Sequence, residues 1–104
     1  MSTISGSDVT KIVVACEAGM GSSVMVASML AKQLKSHNVS VTHSPVNRLL
    51  ETQPDVVICH RGLAARAKQA VGDIVVIPFD MFLGDPKIQQ VANAVLNGTT
   101  ISDE

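Results

Sequence analysis

Residues 11–23 read KIVVACEAGMGSS, an apolar run that ends in a cysteine and opens into glycines and serines. The run 11–16 is rich in β-branched residues and does not alternate polar with apolar. That pattern suits a strand buried on both faces, as in a parallel sheet. Two further runs share it, DVVICH (55–60) and DIVVIP (73–78). A fourth stretch, NVSVTH (38–43), alternates Val39 and Val41 with polar residues and suits an edge strand.

Helical segments separate these runs. From Ser22 to about His37, Val24, Ala27, Ala31 and Leu34 fall on one helical face, and Lys32 and Lys35 suit the negative end of the helix dipole. SPVNRLLE (44–51) predicts a short helix, with Ser44 as cap and Pro45 at the first position. LAARAKQA (63–70) is alanine-rich and helix-prone. GDPKIQQVANAVLNG (84–98) has Asp85 as cap, Pro86 at the first position, Gly98 past the end, and a stripe of Ile88, Val91, Ala92 and Val95. Alternating strands and helices imply crossover units, hence an α/β fold with a parallel sheet and helices on both faces. One domain over 11–98 is expected, with loose ends at 1–10 and 99–104.

Composition narrows the function. The chain has 104 residues, 46% of them apolar, with a net charge of −1. Phe79 and Phe82 are its only aromatic residues apart from three histidines, so the core must be aliphatic. Without a basic surplus or stacking platforms, nucleic-acid binding is not expected. No apolar run approaches the roughly 18–20 residues that span a bilayer, and the polar start MSTISGSDVT is unlike a signal peptide. The chain reads as cytoplasmic; its initiator Met and polar tail favour a free-standing protein, and the sequence leaves open whether it is part of a longer chain. Cys16 and Cys59 fit neither a metal spacing nor a disulfide framework, so reduced thiols are expected, with no metal and no cofactor.

In parallel α/β folds, ligands bind beyond the carboxyl ends of the strands. Glu17, Ala18, Gly19, Met20 and Gly21 form the first strand-to-helix loop, where such folds hold phosphate. Gly19 and Gly21 let backbone N–H groups converge on an anion, the helix N-terminus adds its positive end, and Ser22 and Ser23 offer hydroxyls. The same features stabilise a thiolate, although Glu17 opposes this. Cys16 therefore reads as a nucleophile that carries or cleaves a phosphoryl group, whereas Cys59, inside VVICH, reads as an inert core thiol. A Walker A loop is excluded, because no lysine lies between 12 and 31. A dinucleotide fingerprint fails because Val24 stands where its third glycine belongs. A cysteine phosphatase loop has cysteine, five residues and then arginine, and Ser22 occupies that last position. Without the arginine that stabilises the transferring phosphoryl group, efficient hydrolysis is not expected.

On VACEAGMGSSVM (14–25), and secondarily ICHRGL (58–63), the chain resembles the IIB component of the bacterial sugar phosphotransferase system, most closely the mannitol-type IIB domain. The likeness covers roughly residues 11–96. It implies a phosphotransferase that takes a phosphoryl group from a phosphohistidine on a IIA partner, holds it as phosphocysteine at Cys16, and passes it to a sugar bound in membrane-embedded IIC. Residues 17–23 would bind the phosphate. The chain would work in the cytoplasm, transiently at the inner face of the membrane, with no insertion of its own. The implied sheet is Rossmann-like and three-layered, with four parallel strands in the order 2-1-3-4.

His60 and Arg61 end the third strand at the edge of Cys16 and are possible accessories, Arg61 to the phosphoryl group or a partner, His60 as a Cys–His pair. Asp80 and Asp85 lie in the last strand-to-helix loop. His37 and His43 read as surface residues and Met25 as packing. Met20, with Met81, Phe82 and Leu83, would form an apolar docking rim. Two other readings compete, a low-molecular-weight cysteine phosphatase and a regulatory phosphocysteine sensor.

Overall fold

A computed structural model describes residues 3–16, 22–80 and 86–102. In chain order the elements are β1 (Thr3–Ser5), β2 (Lys11–Cys16), α1 (Ser22–Leu34), β3 (Ser40–Pro45), β4 (Val56–His60), α2 (Ala64–Val71), β5 (Val75–Phe79), α3 (Pro86–Asn97) and β6 (Thr100–Ser102). Short 3-10 turns fill 35–37, 46–52 and 61–63.

Four strands form a parallel sheet in the order β3-β2-β4-β5. By residue range this is 40–45, 11–16, 56–60, 75–79. The expected order 2-1-3-4 counted only these four strands, whereas an unanticipated strand, β1, precedes them and shifts the numbering. β1 pairs antiparallel with β6 in a separate two-stranded ribbon. Residues 3–5 and 100–102, expected to be loose, are therefore paired with each other.

The doubly buried strands sort their side chains by parity. Ile12, Val14, Val56, Ile58, Val75, Ile77 and Phe79 face one side with α1 and α3. Val13, Ala15, Val57, Cys59 and Val76 face the other with α2 and the 46–52 turn. The continuous apolar runs have this cause, because both faces are covered and neither can be polar.

The register is pinned at the amino edge. Asp55 Oδ2 accepts hydrogen bonds from Thr10 N at 2.8 Å, Thr10 Oγ1 at 2.8 Å and Lys11 N at 3.0 Å. Its own N–H donates to Lys11 O at 2.9 Å. A charged residue opening an apolar run thus ties β4 to the start of β2.

Two local expectations change. α1 buries Val26, Ala27, Leu30 and Leu34, while Val24 is 43% exposed and Met25 is 45% exposed. Its sequence is apolar on nearly every side, so periodicity alone allows more than one stripe. The helix expected at 44–51 does not begin at Ser44. Pairing with β2 carries β3 on to Pro45, opposite Cys16, and a 3-10 turn follows at Val46–Thr52. Ser44 is buried, and its hydroxyl donates to Pro45 O at 3.2 Å. β3 also starts later than expected, because Asn38 adopts the left-handed conformation (φ 57°) that reverses the chain.

The terminal ribbon is locked beneath α3. Gly6 N donates to Thr99 O at 2.7 Å. A Cβ on Gly6 would overlap Ala94 O, in the last turn of the helix. Gly6→Ala is predicted to cost roughly 1–3 kcal/mol, since backbone must move to admit the methyl group. Urea unfolding would measure the cost, and an unchanged midpoint would show that the ribbon does not press on α3.

Candidate functional site

The carboxyl edge of the sheet is where chemistry-bearing residues gather. β2 ends at Cys16, which pairs with Pro45 of β3. The β2–β4 register runs through Val14↔Ile58. Continued by two residues, it sets Cys16 level with His60. His60 in turn pairs with Phe79 of β5. Pro45, Cys16, His60 and Phe79 thus form one row across the four strand ends. α1 begins at Ser22, so its first backbone N–H groups, which lack intrahelical acceptors, also lie on this side.

Most of the expected phosphate cradle, Glu17 to Gly21, lies outside the described residues. So do Met81, Phe82, Leu83 and Asp85. Cys16, Ser22 and Ser23 are placed by their backbone, at the end of β2 and the start of α1.

His60 is half-buried. Its ring meets buried Phe79 edge-on, with centroids 6.0 Å apart and an interplanar angle of 89°. His60 Nδ1 accepts a hydrogen bond from Gly62 N–H at 3.2 Å and so caps the 61–63 turn. That bond requires an unprotonated Nδ1, which leaves Nε2 as the ring's other polar atom. In this arrangement the imidazole orients the turn that carries Arg61.

Arg61 reaches across to the next strand end. Its Nε donates to Asp80 Oδ1 at 2.8 Å, and Nη2 approaches Asp80 Oδ2 at 3.5 Å. The pair is open to water, with side chains 48% and 62% exposed. The sequence places both residues at this edge. It does not by itself reveal that they pair, although each is the first residue beyond strand positions that the register puts opposite one another. His37 and His43 are exposed, as expected.

Cys59 is one residue out of step with this edge. Its side chain enters the α2 face of the core and is fully buried. Burial pushes its thiol from an ordinary 9.0 up to about 11. At neutral pH it remains protonated and non-nucleophilic. Among the described residues, no group of three or more His, Cys, Asp or Glu could hold a metal ion. Among the same residues, no helix is long and apolar enough to cross a membrane.

The two protonation states of Cys59 have a consequence for stability. In the unfolded chain its thiol ionises near its ordinary value, while in the native protein it keeps its proton to about 11. Stability should therefore be intact below about pH 9 and fall between there and pH 11, by roughly 3 kcal/mol in total. Cys59→Ala should lower stability at every pH but remove this share of the alkaline decline. Parallel declines in the two proteins, measured by urea unfolding at pH 8 and 10.5, would count against the assignment.

Comparison with known proteins gives consistent matches. A family model described as "PTS system, Lactose/Cellobiose specific IIB subunit" matches residues 11–94. The mannitol-specific EIICB component of Bacillus subtilis (strain 168) is 40% identical over 92 residues, which cover 86% of this chain and 19% of that protein. The mannitol-specific EIICB component of Geobacillus stearothermophilus is 41% identical over 85 residues, covering 80% of this chain and 18% of that one. The mannitol-specific EIICBA component of Klebsiella pneumoniae is 45% identical over 80 residues, covering 74% and 12%. The chain spans about a fifth or less of the length of these relatives.

Proposed function

Because the chain belongs to the lactose/cellobiose-specific IIB subunit family of the phosphotransferase system, we propose that it is a phosphoryl carrier in sugar uptake, with Cys16 as the phosphorylated residue. The thiolate of Cys16 attacks the phosphorus of a phosphohistidine on a IIA partner. The P–N bond breaks as the S–P bond forms, and the proton lost by the thiol ends on the released imidazole. The phosphoryl group then moves to a hydroxyl of a sugar held by a membrane IIC component. There the S–P bond breaks, an O–P bond forms, and the hydroxyl proton returns to the thiolate.

The observation that supports this best is the strand-to-helix step itself. β2 delivers Cys16 to the carboxyl edge of a parallel sheet, and α1 starts at Ser22 on the same side. Loose phosphoryl transfer asks mainly for positioning and for donors to the phosphoryl oxygens. Backbone N–H groups of 17–23 supply them in this reading, with the Ser22 and Ser23 hydroxyls.

The mannitol-type assignment rests on the names of the relatives. Selection of the sugar lies in IIC. The carrier unit spans 11–98, its sheet is Rossmann-like, and it works in the cytoplasm at the inner face of the membrane.

Phosphorylated IIA with a labelled phosphoryl group tests the reading. Cys16→Ser should abolish acid- and iodine-sensitive incorporation, while Cys59→Ser should retain it. Label that persists in Cys16→Ser, or disappears only in Cys59→Ser, sinks the proposal.

The Cys16 thiol should also titrate below the ordinary value of about 8.5, since α1 and the loop amides favour the thiolate. Alkylation rate against pH, with Cys59 protected by burial, reports it. A midpoint at or above the reference would mean that Glu17 or desolvation prevails.

A further inference from the structure

The phosphocysteine reading leaves one charge unaccounted for. A phosphoryl group on Cys16 brings about two negative charges to the carboxyl edge. The sequence between Cys16 and α1 holds one acid, Glu17, and no Lys or Arg. The position at which a phosphatase loop would carry arginine is Ser22. Backbone amides provide partial charges only.

The register places the backbone of an arginine nearby. Continued two residues past its last pair, Val14↔Ile58, the β2–β4 register sets Cys16 level with His60, and Arg61 follows His60 in the chain. Neighbouring strands lie about 4.8 Å apart, and one further residue adds about 3.3 Å along the chain. An arginine side chain spans that gap. Its turn is fixed by the His60 Nδ1–Gly62 N bond. In the structure the Arg61 guanidinium is engaged by Asp80, through a 2.8 Å bond and a longer second contact. A pair this exposed holds its partners weakly in water. A dianion competes well against a single carboxylate for a guanidinium, whose fork also fits phosphoryl oxygens.

We infer that Arg61 is an exchangeable cation, held by Asp80 in the unphosphorylated protein and transferred to the phosphoryl oxygens once Cys16 is phosphorylated. This rests on the carrier reading and assigns a role within it. No bond is made or broken in the exchange beyond hydrogen bonds. Asp80 sets how readily Arg61 is released. The Arg61–Asp80 pair thereby tunes the phosphoryl-transfer potential of the carrier and marks its charged state on the surface.

The equilibrium of phosphoryl exchange with IIA separates this role from docking or folding. At a fixed ratio of phosphorylated to free IIA, Arg61→Gln should lower the phosphorylated fraction ratio about tenfold, since a charge-assisted bond to the product is lost. Arg61→Lys should fall between the two. Asp80→Asn should raise the ratio about threefold, because the competing carboxylate is removed. Effects of opposite sign from the two halves of one ion pair are the signature, since a purely structural pair would give the same sign twice. An arginine that only docks IIA would slow the approach to equilibrium and leave its position unchanged, and that result overturns the inference. So does an Asp80→Asn value that falls with Arg61→Gln. In the wild type, the Arg61 Nε–H resonance should shift on phosphorylation, and a static signal would be equally damaging. Should the wild type accept no label on Cys16, the carrier reading falls first and this inference with it. If label is accepted but the Arg61 and Asp80 variants match the wild type, only the inference falls.

Discussion

A single carboxylate fixes the alignment on which the site depends. Asp55 accepts from two successive backbone N–H groups and one hydroxyl across the start of β2 and β4. Parallel strands have evenly spaced, slanted bonds and no tight hairpin to set their register. Here a charge-assisted knot at the amino edge supplies that constraint. A slip of one residue would turn every side chain of the strand to the opposite face. It would also separate Cys16 from the level of His60 and Arg61. An interaction at one end of the sheet thus determines which residues meet at the other.

The same parity separates the two cysteines. Cys59 points into the α2 face of the core, where desolvation keeps its thiol protonated to about 11. Cys16 ends its strand where α1 begins. Two residues of one type, on adjacent strands of one sheet, are given different places by the sheet, one inside the strand and one at its carboxyl end. The fold needs no special device to silence the Cys59 thiol, because burial alone does so.

The terminal ribbon gives the sheet its asymmetry. β6 runs beside β5, and Ile101 and Ile4 pack into the α1–α3 core. Gly6 lies so close to Ala94 that no side chain fits between them. β3, at the other edge, has no such strand beside it among the described residues. Its outer side, with exposed Thr42 and His43, meets α1 at a shallow groove that also takes in Val24 and Ala27. The exposed apolar start of α1 is therefore next to the carboxyl edge of the sheet, whereas the chain ends are gathered under α3.

Much was legible in the residues alone. Unbroken β-branched runs require two covered faces, so three parallel strands and their helical cover follow from hydrophobicity. Pro86 and Gly98 (φ 71°) bracket α3 because their backbone limits act locally. The step from strand to helix around Cys16 was legible for a similar local reason, since β2 ends at Cys16 and α1 starts at Ser22. What the residues left open was decided by contacts distant in sequence. The buried stripe of α1 was settled by the sheet beneath it, since its own sequence offers apolar residues on several sides. Pairing with Cys16 drew Pro45 into β3 against its preference as a helix starter. The polar ends became β1 and β6 only because each supplies the other's hydrogen-bond partners. The Arg61–Asp80 pair arises from two residues 19 apart that meet only when β4 and β5 lie side by side in register. Local propensity reads the strands and caps, but partners that meet through the sheet exist only once the sheet has formed.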